Sequence, residues 1–449
     1  MTSPRIAVLG AGVTGLAIAR LLRQKGLDVT VYEMEKTAGG LCRSECVDGF
    51  TYDVSGGHVL FSKDKQILAY LQRLLGDMDV VETKRNTKIY YKGRLVKYPF
   101  ENGLADLPDE DRFECVKGYV EAHYKRLYEK PPQPENFRDW VVYRFGPGIA
   151  KHFMHPYNEK IWKCDLSEMG TEWVAGRVPD APIDDVIRAA LGISTEGYTH
   201  QAIFYYPRTG GYQKIADRLA SGIEDRIRLA TKVESVRRRG EGFEVNGKAY
   251  DEVVNTMPLQ ELYRILADAS PTAKAAAEAL RFTSMTTFLL GIDGPDETTH
   301  SWIYLPHPEN GPVNRVTHLS NYSPKNAPPG KSSILAEMTY TGDLRVDRKF
   351  AEGIVADLAS CGFVDRSRVS TLAWTQLPYA YIVFDLDFAK KRGAALDYLE
   401  KIRLHTIGRF GRYEYMNVDQ CLRRAFDFVK AFTGEDPDPP ELRGVKIGS

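Results

Sequence analysis

Two hydrophobic rhythms run along this chain: short unbroken apolar runs, and stretches with helical spacing. Residues 6–9 are a β-rich apolar run of the kind a buried parallel strand makes. Residues 16–24 carry helical character, Gly26 suits the C-terminal cap, and residues 28–32 form a second strand ending at Glu33. Helical spacing returns over 64–76. Residues 85–100 read as a hairpin about Lys92-Gly93. Helices follow over 109–129 and 136–163, separated by Pro131-Pro132-Gln133-Pro134, and Pro156 should kink or divide the second. Another helix covers 212–222. Strands are predicted over 227–236, 243–246 and 253–258, the last returning to the nucleotide-binding unit, and over 282–293 and 332–341. Helices over 347–361, 389–402 and 418–433 close the pattern. From Glu435 the chain is acidic, proline-bearing and expected to be poorly ordered.

Between the first strand and helix stand Gly10, Gly12 and Gly15, in G-x-G-x-x-G spacing. Strand, glycines, helix, second strand and terminal acid together make a dinucleotide-binding unit. Gly10 allows the tight turn, Gly12 lets backbone approach a pyrophosphate, and Gly15 permits close helix–strand packing. The helix N-terminus favours the phosphates. Glu33 can accept from a ribose hydroxyl. A second turn, Gly39-Gly40-Leu41 followed by Arg43, resembles FAD-dependent amine oxidases and glutathione-reductase-like flavoproteins, and so points to FAD. Gly57 and His58 lie in a further glycine-rich loop, 55–58, that can bring backbone close to a cofactor.

The 449 residues suffice for two or three domains, and 60 basic against 60 acidic residues give zero formal charge. Nothing there suggests affinity for nucleic acid or a membrane surface. The first strand starts almost at Met1, leaving no room for a signal peptide, so a cytoplasmic protein is expected. Six cysteines are scattered, only Cys42 and Cys46 lie close, and no metal site is expected. The predicted fold is α/β. A discontinuous Rossmann-like FAD-binding domain takes residues 1–85, 205–260 and 403–435. A mainly helical substrate-capping domain spans 86–204, a mixed or antiparallel β-sheet substrate domain spans 261–402, and 436–449 is a flexible tail.

Later stretches resemble the UDP-galactopyranose mutase family, most closely its eukaryotic branch, from the fingerprint to about Leu422. The resemblance rests on Gly56-Gly57-His58-Val59-Leu60-Phe61, Tyr98-Pro99-Phe100-Glu101-Asn102, Pro156-Tyr157-Asn158 with Trp162, and Gly176-Arg177-Val178. It rests further on Trp302-Ile303-Tyr304, on Arg315 with Ser320-Asn321-Tyr322-Ser323-Pro324, and on Gly408-Arg409-Phe410-Gly411 with Tyr413 and Tyr415. It implies an isomerisation without net redox change, between pyranose and furanose forms of a nucleotide sugar. N5 of reduced FAD is then the nucleophile on the anomeric carbon, and NADPH is a candidate reductant.

The resemblance gives Arg177 and Arg315 the pyrophosphate, a task that suits the bidentate guanidinium fork, with Tyr381 and Tyr415 completing the clamp. Tyr379 rivals Tyr381. His58 falls beside the flavin ring and Arg409 against it, where a cation favours the anionic reduced form. Tyr415 and Asn417 border the same region. Phe100, Glu101, Asn158, Trp162, Trp302, Tyr304, Asn321 and Tyr322 match substrate-lining positions. Relatives usually carry Gln where this chain has Glu101. An ionised Glu only accepts, which suits guanine better than uracil, so a GDP-sugar stands beside a UDP-sugar. The plainer expectation is that Glu101 turns to solvent or pairs with a nearby Lys or Arg. The alternatives are a FAD-dependent oxidase or dehydrogenase of the amine-oxidase or protoporphyrinogen-oxidase type, and a non-catalytic flavin binder. The helices of 109–163 leave a homo-oligomer open.

Overall fold

The computed structural model describes residues 3–76, 79–174, 177–178, 181–193, 195 and 202–444. The α/β expectation holds. A five-stranded parallel sheet runs in the order His405–Thr406, Glu252–Asn255, Arg5–Leu9, Asp28–Tyr32, Ile227–Arg228. Ile6 to Leu9 in its centre are fully buried, which is why that strand needs an unbroken apolar run. The helices Val13–Gln24 and Val418–Thr433 pack on each other beside this sheet. The strand expected over 227–236 shrinks to Ile227–Arg228. Val236–Arg239 joins Gly242–Val245 and Lys248–Tyr250 in a separate antiparallel sheet.

A larger seven-stranded sheet has the order Val369–Val383, Arg281–Ile292, Ser332–Tyr340, Arg315–His318, Trp302–Tyr304, Thr87–Tyr91, Arg94–Lys97. The hairpin over 85–100 falls in the stretch expected to belong to the helical domain. It extends this sheet instead, through parallel pairing of Thr87–Tyr91 with Trp302–Tyr304.

The helices Asp109–Tyr128, Phe137–Ile149 and His155–Trp162 pack around Phe137, Trp140, Phe145 and Phe153. The helix expected over 136–163 is divided at Pro156, which occupies the first turn of His155–Trp162 directly after the π-helical Ala150–Met154, and a further irregularity falls at Gly146 (φ 77°). Lys25 pairs with Glu435 at 2.6 Å and Arg20 with Glu441 at 2.7 Å, fastening the acidic segment to the first helix. No helix among the described residues is long and apolar enough to cross a membrane.

Candidate active site

The three fingerprint glycines meet different surroundings. Gly10 turns the chain with φ +99°. A Cβ on Gly15 would lie 2.0 Å from the Gly10 carbonyl oxygen, so only glycine lets helix and strand approach this closely. A Cβ on Gly12 would have no atom within 4 Å, which leaves open space at the helix N-terminus. The second turn packs against the first. Gly39 N–H donates to the Ala11 carbonyl at 2.8 Å, and a Cβ on Gly40 would sit 3.2 Å from Gly12 Cα. Ser55 donates to the Leu41 carbonyl, and Arg43 pairs with Glu35 at 3.3 Å. The buried Glu33 accepts from the amides of Ala11 and Glu35, both at 2.9 Å, and keeps lone pairs for a ribose hydroxyl. This cradle fits FAD.

The loop bearing His58 is held by two buried carboxylates. Asp53 accepts from Ser44 Oγ, the Tyr206 hydroxyl and the Tyr212 amide, and burial lifts it to about 6 despite them. Glu337, also without exposure, accepts the Gly57 N–H at 3.1 Å. A Cβ on Gly56 would stand 2.7 Å from the Glu337 carboxylate, and one on Gly57 would stand 2.6 Å from Thr317 Cγ2. The His58 ring stacks on Tyr212 with centroids 5.0 Å apart, and its Nδ1 is buried without a partner. Burial, then the charges of Arg315 and Arg409, push His58 down to about 3, so the imidazole is neutral at neutral pH.

Beyond this loop the large sheet presents one row across its strands: Thr287, Glu337, Arg315, Tyr304. Arg315 binds Glu337 through two nitrogens, each at 2.7 Å. That pair holds the guanidinium well above its ordinary value, against the burial that lowers it. Arg409 donates to the carbonyls of Met416 (2.7 Å) and Ala380 (3.1 Å), while its Nε is buried without a partner. Its guanidinium lies 4.6 Å from the Tyr415 ring centroid and that of Arg177 lies 3.8 Å from it. Arg177 also donates to the Tyr415 carbonyl; burial first, then Arg409, lowers its pKa, with Tyr415 opposing. Gly176 of that motif lies outside the described residues. Tyr381 is kept protonated by burial within reach of Arg315, Glu337, Tyr415 and Arg409. Tyr379 is elsewhere: its hydroxyl donates to Glu261 and its ring packs on Phe282.

Trp162 borders this group, 5.8 Å from Tyr381 and 6.1 Å from Tyr415. Asn158 fixes it, accepting from Trp162 Nε1 at 3.0 Å and donating to Met154 at 2.7 Å. Tyr304 meets Tyr157 and Tyr98, and Trp302 lies under Arg85.

Other predicted residues have structural work that accounts for them. Phe100 is fully buried against Phe153 and Tyr91. Tyr322 is fully buried against Phe204 and Tyr206. Asn321 donates to the carbonyls of Thr298 and His300. Asn417 is an exposed residue capping the helix Val418–Thr433. The expectation that Glu101 is solvated or ion-paired fails. It is 6% exposed, has no basic partner among the described residues, and burial raises it to about 7. Glu337, Asp53 and Tyr212 are not among the site residues expected from the sequence, and Tyr157 stands there only within the Pro156-Tyr157-Asn158 motif. A lone acid within the buried strand Ser332–Tyr340 is the signal that marks Glu337.

Cradle and cationic cluster, joined by the His58 loop, define a FAD-dependent enzyme. The chain belongs to the flavin containing amine oxidoreductase family, whose model matches residues 13–410. Its FAD cofactor follows from that membership. Among solved structures, a reduced UDP-galactopyranose mutase matches with a TM-score of 0.88 and 26% identity, covering 98% of both chains. A zeta-carotene-forming phytoene desaturase from Myxococcus xanthus is 35% identical over 62% of this chain and 58% of its own length. A coproporphyrinogen III oxidase from Staphylococcus aureus is 23% identical over 76% of this chain and 79% of its own.

Proposed function

We propose that the protein is a flavin-dependent mutase that interconverts pyranose and furanose forms of a nucleoside diphosphate sugar. The observation that carries this reading is the gathering of Arg177, Arg315 and Arg409 with Tyr381 and Tyr415 beside His58, with the buried carboxylate Glu337 paired to Arg315. A diphosphate expelled from an anomeric carbon and later returned needs such a holder, because guanidiniums and protonated phenols donate to anionic oxygens without reorganising. A cationic amine has no use for it. The likeness to the reduced mutase structure supports the same reading.

Reduced FAD, when bound, supplies the nucleophilic nitrogen. The chain does the rest. Arg177 and Arg315 hold the diphosphate, Tyr381 and Tyr415 donate to it, and Arg409 places positive charge where reduced flavin is anionic. Neutral His58 offers a hydrogen bond without adding charge. Trp162, Tyr157 and Tyr304 exclude water from the sugar. NADPH is the proposed reductant, and Glu101 is the proposed discriminator of the base, with UDP- and GDP-sugars as the candidates.

The test is an anaerobic incubation of dithionite-reduced protein with UDP-, GDP- and dTDP-sugars, followed by NMR of the anomeric proton. Furanose–pyranose exchange in the reduced state alone is the expected result. Absence of exchange, with oxygen consumed by the oxidised enzyme on an amine or porphyrinogen, would establish the oxidase reading that the desaturase and oxidase relatives favour.

A further inference from the structure

On the helix that presents Asn158 and Trp162 to the candidate active site, Lys160 opens onto a separate cleft. That cleft, of about 420 Å³, is lined by Pro156, Glu159, Lys160, Lys163, Pro308, Gly311 and Pro312. The volume is that of a small-molecule site. Lys160 is 7% exposed, and its Nζ donates to the carbonyls of Leu305 at 2.9 Å and His307 at 3.0 Å. An ammonium has three donors, so one is left. Lys163, half-buried at the left-handed end of the same helix (φ 53°), gives its backbone N–H to the Glu159 carbonyl at 3.0 Å, while its ammonium has no hydrogen bond or ion pair among the described residues.

The acids nearby do not neutralise them. Glu159 is engaged by Arg138 at 2.6 Å. Glu309, Asp357 and Cys361 act on Lys160 only from a distance, and His307 is held low by burial. The two lysines therefore repel each other across the cleft. Burial, then Lys163, brings Lys160 down to about 7, and burial lowers Lys163 as well. A buried charge without a counter-charge is unfavourable, and an anion between the two would relieve both.

We propose that this cleft is a second ligand site that takes the phosphate group of a phosphate monoester, with the dianion bridging Lys160 and Lys163. Pro156, Pro308 and Pro312 give the rest of such a ligand an apolar wall. The occupant is coupled to the candidate active site by two short connections. Lys160 shares its helix with Asn158 and Trp162, and the carbonyls it holds directly follow the strand Trp302–Tyr304.

The test is lysine acetylation of FAD-loaded protein, mapped by mass spectrometry, with inorganic phosphate and with phenyl phosphate. At a probe concentration about tenfold above its Kd, labelling of Lys160 and Lys163 falls about tenfold, while exposed Lys390 is unaffected. Phenyl phosphate acts at lower concentration than phosphate. Lys163→Asn, which suits a left-handed residue, abolishes protection of Lys160, and Lys160→Met abolishes protection of Lys163. Unchanged labelling with both probes, or protection that survives in either folded variant, overturns the proposal. None of these readouts depends on mutase activity.

Discussion

Arg315 and Glu337 stand directly opposite each other on adjacent antiparallel strands, joined by two contacts of 2.7 Å. The same carboxylate receives the amide of Gly57, one residue before His58. A single buried acid thus orients the guanidinium on one side and the histidine loop on the other. Part of the Arg315 fork is occupied before any ligand arrives, so Arg315 anchors while Arg177 and Arg409 supply the less compensated charge.

Glu337→Gln leaves Arg315 paired only with a neutral amide. The expected loss of stability is about 3 kcal/mol, since removing one partner of a buried pair strands the other. The double variant Arg315→Met/Glu337→Met recovers most of that loss yet does not bind the nucleotide. Urea unfolding alongside calorimetric titration with UDP and GDP separates the two effects; equal stability of all three proteins would show that the pair is not structural.

For nucleotide binding, Arg177→Ala is the cleaner probe, because Arg177 has no carboxylate partner among the described residues. FAD content should be unchanged while nucleotide affinity falls by about 2 to 3 kcal/mol. Retained affinity in a titration of the FAD-loaded variant would remove Arg177 from the clamp.

The glycines separate folding from loading. Gly15→Ala must push a Cβ against the Gly10 carbonyl, with a destabilisation of about 3 kcal/mol or more. Gly12→Ala meets empty space at φ −70°, so the apoprotein should unfold within about 0.5 kcal/mol of wild type. Its FAD affinity should drop sharply, because the added methyl occupies the approach to the pyrophosphate. Absorbance of the purified variant at the flavin bands reads this directly.

His58 should remain neutral well into acid. Its folded pKa of about 3 lies below the ordinary 6.5, so the unfolded chain binds a proton that the native chain refuses. This contribution to stability is complete above pH 6.5 and is lost progressively as pH falls toward 3. Imidazole NMR shifts at pH 5 should report a neutral ring, and a protonated ring at that pH would contradict the placement between burial and two arginines.

Glu101 works in the opposite sense. Its folded pKa, about 7 against 4.5, means that the native state holds a proton the unfolded state has released. Stability therefore declines as pH rises from 4.5 through 7. Glu101→Gln should remove that decline, making the variant more stable by roughly 3 kcal/mol at pH 8 and equal to wild type near pH 4. If Glu101 also reads the base, the same variant shifts preference from GDP toward UDP, and an unchanged ratio would take it out of base recognition.

Local signals in the sequence located the cradle. Glycine spacing, the flanking strands and Glu33 all act within a few residues of one another, and the structure assembles them as their chemistry requires. The anionic end was legible only in part. Arg315 could be named, but Glu337 could not be joined to it, because strand register is set by the whole sheet. Tyr379 and Tyr381 could not be ranked for a related reason: the register slips between Thr283 and Met285, opposite this stretch, and the two rings part company. Phe100 and Tyr322 show a different limit. An aromatic residue in a core and one in a pocket carry the same pattern, and only the packing of Phe153 or Phe204 tells them apart.

The parallel sheet that forms the cradle also bears on how the enzyme is made. Of its strands, Arg5–Leu9 and Asp28–Tyr32 are made first; Glu252–Asn255, which pairs with the former, emerges more than two hundred residues later, and His405–Thr406 later still. During that interval a strand that is apolar from Ile6 to Leu9 has an unfilled edge, a state that favours association between nascent chains. Such distant pairings also close slowly. The nucleotide sheet is thus closed only once the strand His405–Thr406 has been made, and expression with ample flavin and a slowed rate of synthesis should raise the soluble yield.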